Sequence, residues 1–234
     1  MTASLLRMIL ALVLGWSCVG GSLALGADDP QTGASDVIVI FGASYAKDWH
    51  IESIAGAKVT NSGIGGNETK DMLARYERDV LSLSPDKVIF WGFINDFMRS
   101  NAQQAGQVSS LVKERYQTMV DTALQRGIEP VLATEVTLPA ATTWWGEIIA
   151  WVFRLIGRKG YADRINTNVM EVNAWLKDFA RQRSLPLLDL QAALAPGGFY
   201  RKRAFSQPDG SHLSEAAYRE LTSYTRAHEG SLRK

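Results

Sequence analysis

Short apolar runs alternate along the chain with longer stretches of helical periodicity. Val37-Ile38-Val39-Ile40-Phe41 is continuous, rich in β-branched residues and closed by Gly42. Such a run suits a strand covered on both faces, as in a parallel sheet. The pattern recurs at Lys58 to Asn61, at Val88-Ile89-Phe90-Trp91, at Pro130-Val131-Leu132-Ala133 and at Pro186-Leu187-Leu188-Asp189-Leu190. Between these runs, Thr69 to Leu83 sets Met72, Leu73, Tyr76, Val80 and Leu83 close to helical spacing. Val108 to Gln125 and Ile165 to Arg181 repeat that spacing, and Ser214 to His228 reads as a closing helix. The alternation predicts an α/β domain: three layers, α/β/α, around a flavodoxin-like parallel sheet of about five strands. The class implies the strand order 2-1-3-4-5, which the residues themselves do not spell out.

The length, 234 residues, suits one domain with a full core. Its beginning has another character. Arg7 precedes an apolar run from Met8 to Trp16, and Ala24-Leu25-Gly26 is a small-x-small site. This predicts a signal peptide over residues 1–26 cleaved near Gly26, a polar leader over 27–35 and the domain proper over 36–234. The protein is then exported, to the periplasm or beyond. An uncleaved anchor is the alternative, although the run is short for a membrane span. Cys18 is the only cysteine. Cleavage would remove it, and with it any disulfide, cysteine–zinc site or cysteine nucleophile. Without residues 1–26, which carry only Arg7, the chain holds 24 basic and 24 acidic side chains. That balance argues against a nucleic-acid binder, which needs a basic face.

In a doubly wound sheet, ligands bind beyond the carboxyl ends of the strands at the switch point. The first three predicted strands lead into Gly42-Ala43-Ser44, Gly63-Ile64-Gly65-Gly66-Asn67 and Gly92-Phe93-Ile94-Asn95-Asp96. These loops offer a hydroxyl, a glycine-rich backbone and a side-chain amide at one edge. A serine nucleophile needs a base. The histidines are His50, His212 and His228, and only His212 stands in a turn-rich stretch with an acid in register, Asp209-Gly210-Ser211-His212. A tight turn can bring that carboxylate onto the imidazole Nδ1. Each residue alone has a plainer reading: Ser44 as a helix cap, Gly66 as a turn glycine, Asn95 and Asp96 as loop residues, Asp209 as an Asx turn before the last helix.

Taken together, these blocks resemble the SGNH, or GDSL-type, hydrolase family from about Asp36 to Tyr218. Gly42-Ala43-Ser44 matches the nucleophile block, and Asn61-Ser62-Gly63-Ile64-Gly65-Gly66-Asn67-Glu68-Thr69 the second. Ile94-Asn95-Asp96 matches the third, and Asp209-Gly210-Ser211-His212-Leu213-Ser214 the last. The resemblance implies an esterase or acylhydrolase with Ser44 as nucleophile, His212 as base and Asp209 as its carboxylate. Its oxyanion hole would be the Ser44 and Gly66 N–H groups and the Asn95 amide, and the implied mechanism needs no metal or cofactor. Two positions depart from the family pattern. Ala43 stands where the family has Asp, and Phe93 where it usually has Gly, which raises the expectation that Phe93 narrows the pocket or shifts Asn95.

The implied substrate is a small-molecule, glycan or lipid ester, such as a lipid ester or an acetylated carbohydrate. An O-acyltransferase using the same residues, or a non-catalytic envelope binding protein, remains an alternative. A larger α/β-hydrolase is disfavoured because Ser44 follows the first strand and the acid sits just before the histidine. The segment 142–157, Thr-Thr-Trp-Trp-Gly-Glu-Ile-Ile-Ala-Trp-Val-Phe-Arg-Leu-Ile-Gly, holds three of the seven tryptophans. It reads either as a core-packed helix or as a lid or peripheral membrane contact beside the site, with Trp144 and Trp145 as further substrate-binding candidates.

Overall fold

The computed structural model describes residues 36–158 and 160–232. The expected signal and leader, 1–35, lie outside the described residues. Strand β1 (Val37–Gly42) runs through the centre, with Val39, Ile40 and Phe41 fully buried. It pairs in parallel with β3 (Ala57–Gly63) on one side and β4 (Lys87–Trp91) on the other, and β5 (Glu129–Ala133) and β6 (Leu187–Leu188) continue the sheet in parallel. This is the order expected from the fold class. A sixth strand, β2 (Ser53–Ile54), adds an antiparallel edge beside β3, so the sheet is mixed, in the order β2-β3-β1-β4-β5-β6. The two-residue turn Ala55-Gly56 makes that hairpin, with φ of 54° and 89°. Positive φ at both positions matches the twist of a tight hairpin. Two residues of strand leave no periodicity to read.

The last expected strand, Pro186 to Leu190, shrinks to Leu187–Leu188. Pro186 has no N–H to give the ladder. The Asp189 side chain instead accepts from Ala192 N at 3.2 Å and starts helix α7 (Leu190–Leu194). The helix expected over Thr69 to Leu83 stops at Asp79, and a 3-10 turn, Leu81–Leu83, follows.

Parallel neighbours in the sheet are joined by crossovers through helices, which set the layers. Helices α2 (Thr69–Asp79), α4 (Ala105–Gln125) and α6 (Tyr161–Arg183) pack side by side. Helix α8 (Glu215–Ala227) packs on α7 and meets the segment just after the short α1 (Ser44–Lys47), where Trp49 Nε1 donates to Thr222 Oγ1 at 3.0 Å. The chain leaves β1 toward β3 and then crosses back to β4. The switch point therefore lies between β1 and β4, and α1 and α3 (Ile94–Met98) both begin there.

Candidate active site

Glycines let the first two loops come close. A Cβ on Gly42 would sit 1.8 Å from the Trp91 carbonyl oxygen, and one on Gly63 would sit 2.2 Å from Lys47 N. Side chains there would force α1 off the sheet edge. With hydrogens at both places, Ser44 enters the first turn of α1, where an N–H has no partner within the helix. The second loop turns at Ile64–Asn67, closed by Asn67 N donating to Ile64 O at 3.3 Å. Gly66 has φ of 75°, the left-handed region that favours glycine.

The third loop is fixed from beneath. Glu135, two residues past β5, is fully buried, and its Oε2 accepts from Phe93 N at 2.7 Å and Ile94 N at 3.1 Å. Burial pushes this carboxyl up to about 7, against the lowering effect of those hydrogen bonds. Asp96, also buried, accepts from Thr69 N and Oγ1 at 2.9 and 2.7 Å and from Arg115 at 3.3 Å. Burial outweighs the Thr69 bonds and raises it to about 6. Between these anchors, the Asn95 side-chain amide donates to the Asn67 carbonyl at 2.9 Å. An amide nitrogen carries two protons, so one remains for a ligand.

The Asp209–His212 stretch forms the expected turn. Asp209 Oδ1 accepts from the N–H groups of Ser211 and His212 at 2.9 and 3.0 Å, while Oδ2 meets His212 Nδ1 at 2.6 Å. Partial burial pushes the Asp209 carboxyl up, but the bonds from the His212 ring and from the two N–H groups hold it at about 2. An ionised carboxylate can only accept. Nδ1 therefore carries the proton, and a neutral His212 keeps its lone pair on Nε2.

Ser44, Gly66, Asn95 and His212 line one cleft of about 440 Å³, together with Lys47, Asp48, Ile94 and Met98. A hydroxyl, an imidazole oriented by a carboxylate and nearby N–H donors form an arrangement able to carry out acyl transfer. His50 stands elsewhere, in a larger groove of about 590 Å³ between the segment that follows α1 and helix α8.

The substrate-binding expectations for the aromatics need correction. Phe93 is fully buried, edge-on to Phe97 and Tyr116, so it fills the core and leaves the cleft unobstructed. Trp144 and Trp145 do not line the cleft. They are exposed and stacked on each other, with ring centres 3.7 Å apart. Helix α5 (Trp144–Leu155) is likewise exposed along its apolar side, unlike a core-packed helix.

Sequence reasoning missed the supports. Arg75 on α2 is buried over the Phe41 ring and donates to Gly42 O, Ser62 O and Asn67 Oδ1 at 2.6–2.8 Å, joining the first loop to the second. Its place between Met72 and Tyr76, on the buried stripe of an amphipathic helix, is a readable signal. Glu135 was also visible as the single acid in the apolar stretch Val131 to Leu138. Arg201, in irregular chain, offered no periodic cue.

Comparison with known proteins agrees with this architecture. The sequence model of the GDSL-like Lipase/Acylhydrolase family matches residues 18–220. No curated protein gives a significant match. Among solved structures, a lipase/acylhydrolase from Enterococcus faecalis is similar at 22% identity and TM-score 0.58, over 83% of this chain and 96% of that one. A GDSL-like lipase from Bacteroides thetaiotaomicron aligns at 17% identity and TM-score 0.62, over 85% and 89%. An acetylxylan esterase from Geobacillus stearothermophilus aligns at 18% and 0.61, over 83% and 94%. At these identities the structural likeness speaks for the fold.

Proposed function

The chain belongs to the GDSL-like lipase/acylhydrolase family of ester-bond hydrolases, and from that premise we propose that it is an exported serine esterase working through an acyl-enzyme on Ser44. Ser44 Oγ attacks the ester carbonyl carbon and passes its proton to His212 Nε2. The carbon–oxygen bond to the alcohol then breaks, and His212 protonates the leaving oxygen. Water attacks the acyl-enzyme, again giving a proton to His212. The acid departs and the proton returns to Ser44. Asp209 holds the ring tautomer and stabilises the imidazolium. The Ser44 and Gly66 N–H groups and the Asn95 amide meet the developing oxyanion, a kind of stabilisation worth about 3 kcal/mol per donor.

The observation that carries this reading is the 2.6 Å Asp209–His212 pair on the wall of the cleft that holds Ser44. Labelling with a fluorophosphonate, followed by peptide mass spectrometry, tests it. The adduct belongs on Ser44 and disappears in His212→Ala. An adduct elsewhere, or none, contradicts the reading.

The substrate is a carboxylic ester of a lipid or an acetylated carbohydrate, and the cleft supports a short acyl group. Ile94 and Met98 give it an apolar side, while Lys47 and Asp48 offer charges to a polar alcohol portion. Export is supported by the sequence pattern of residues 1–26. N-terminal sequencing of the mature protein should begin near Ala27, and a start at the initiating methionine contradicts cleavage.

A further inference from the structure

Helix α5 leaves much of its apolar surface in solvent. Trp144, Trp145, Ile148, Ile149, Trp151, Val152, Phe153, Leu155 and Ile156 are each between 43% and 65% exposed. At 3.6 residues per turn these positions cover about 200° of the helix circumference. Among the positions whose side chains are described, the remaining arc holds Gly146, Glu147 and Ala150. All three are half-buried, so the helix turns its small and polar side toward the body and its apolar side outward. Soluble proteins seldom expose an apolar surface this continuous without an occupant.

Charge identifies the occupant. From 142 to 160 the sequence holds three basic residues, Arg154, Arg158 and Lys159, against one acid, Glu147. Arg203 stands 3.5 Å from Glu147 and offsets it, and the exposed Lys202 lies beside Arg203 in sequence. A wide apolar arc carrying three indoles, beside basic residues, is the pattern of a helix lying in the interface of an anionic membrane. Its length, about 18 Å, is well short of the roughly 30 Å hydrocarbon core. Among the described residues no helix is long and apolar enough to cross a membrane. A partner helix would be met by a narrower stripe.

We propose that α5 docks the protein, flat and reversibly, on an anionic lipid surface. The helix is anchored beside the candidate site. Thr142, just before it, approaches Gly210 so closely that a Cβ there would sit 2.9 Å from the Thr142 methyl. Gly210 lies between Asp209 and His212, so docking holds the histidine turn at the lipid surface. The docking itself does not depend on the catalytic reading.

Tryptophan fluorescence provides the test. In the full chain carrying Trp16→Phe, the remaining indoles are the buried Trp49 and Trp91, the half-buried Trp175 and the three on α5. Vesicles of brominated phosphatidylcholine with phosphatidylglycerol should quench the emission and shift it to the blue. Brominated phosphatidylcholine alone should do so at least tenfold more weakly, and added salt should weaken the anionic response. The surface variant Ile149→Gln/Val152→Gln/Leu155→Gln keeps every indole and should need at least tenfold more lipid. Absence of quenching, or quenching unchanged in that variant, overturns the proposal. So does a dimer in lipid-free buffer that the variant abolishes while lipid has no effect, since the occupant is then a second copy.

Discussion

Arg201 and Tyr45 meet in the interior, the guanidinium Nη1 donating to the phenol oxygen at 3.0 Å. Tyr45 belongs to α1 beside Ser44, and its hydroxyl donates to Ser211 O at 2.6 Å. Arg201 is 1% exposed and also donates to the carbonyls of Gly210, Ser211 and His212 at 3.1–3.4 Å. One buried cation thus fastens the histidine turn to the serine helix.

Arg201→Met keeps a long side chain but removes every donor. Each buried acceptor left without a partner costs about 1–3 kcal/mol. The unfolding midpoint should fall by several degrees and kcat should fall more than KM changes, with Arg201→Lys recovering part of both. A lowered midpoint with unchanged kcat would limit Arg201 to a structural role.

Asn95 is tied to Asn67 with one amide proton to spare. Asn95→Ala should lower kcat by about 10²–10³-fold with KM nearly unchanged, the cost of losing one oxyanion donor. Steady-state kinetics on a short acyl ester measures it. A larger effect on KM than on kcat would make Asn95 a substrate-binding residue instead.

Burial raises Glu135 to about 7 and Asp96 to about 6, from ordinary values near 4.5 and 3.8. For acids raised on folding, the folded state binds the extra proton, so stability is present at low pH and lost as pH rises through the folded pKa. Asp209, held near 2, contributes stability above its ordinary 3.8 that is lost as pH falls toward 2. The unfolding midpoint should therefore rise from pH 8 to about pH 5 and drop below about pH 4. Glu135→Gln should flatten the slope between pH 5 and 8. An unchanged slope would show that Glu135 does not titrate there.

Two glycine substitutions should move stability in opposite directions. Gly42→Ala forces a methyl to within 1.8 Å of the Trp91 carbonyl oxygen and should cost about 3 kcal/mol or more. Gly106, inside α4 with nothing within 4 Å of a built Cβ, should gain about 0.5–1 kcal/mol on change to Ala. Denaturant titration of both variants checks the pair.

The sheet core was legible because buried parallel strands leave continuous apolar runs, as Val37 to Phe41 does. Ser44, Asn95 and the Asp209–His212 turn were legible because they follow strand ends or punctuate a loop. The hairpin at Ala55-Gly56 was not, since its strand β2 is too short for alternation to appear. Phe93 misled because a bulky residue in a loop gives no sign of facing inward, and Glu135 and the aromatics of α3 and α4 draw it there. Arg201 was hidden because its partners are backbone carbonyls, which carry no sequence identity.

The most direct test of the central claim is hydrolysis of p-nitrophenyl acetate and longer acyl esters by the purified protein beside its Ser44→Ala variant. The account predicts turnover that is strongest on the short ester and falls to background when the Ser44 hydroxyl is removed. Turnover that survives Ser44→Ala, or none in the parent protein, would contradict Ser44 as the nucleophile of an esterase.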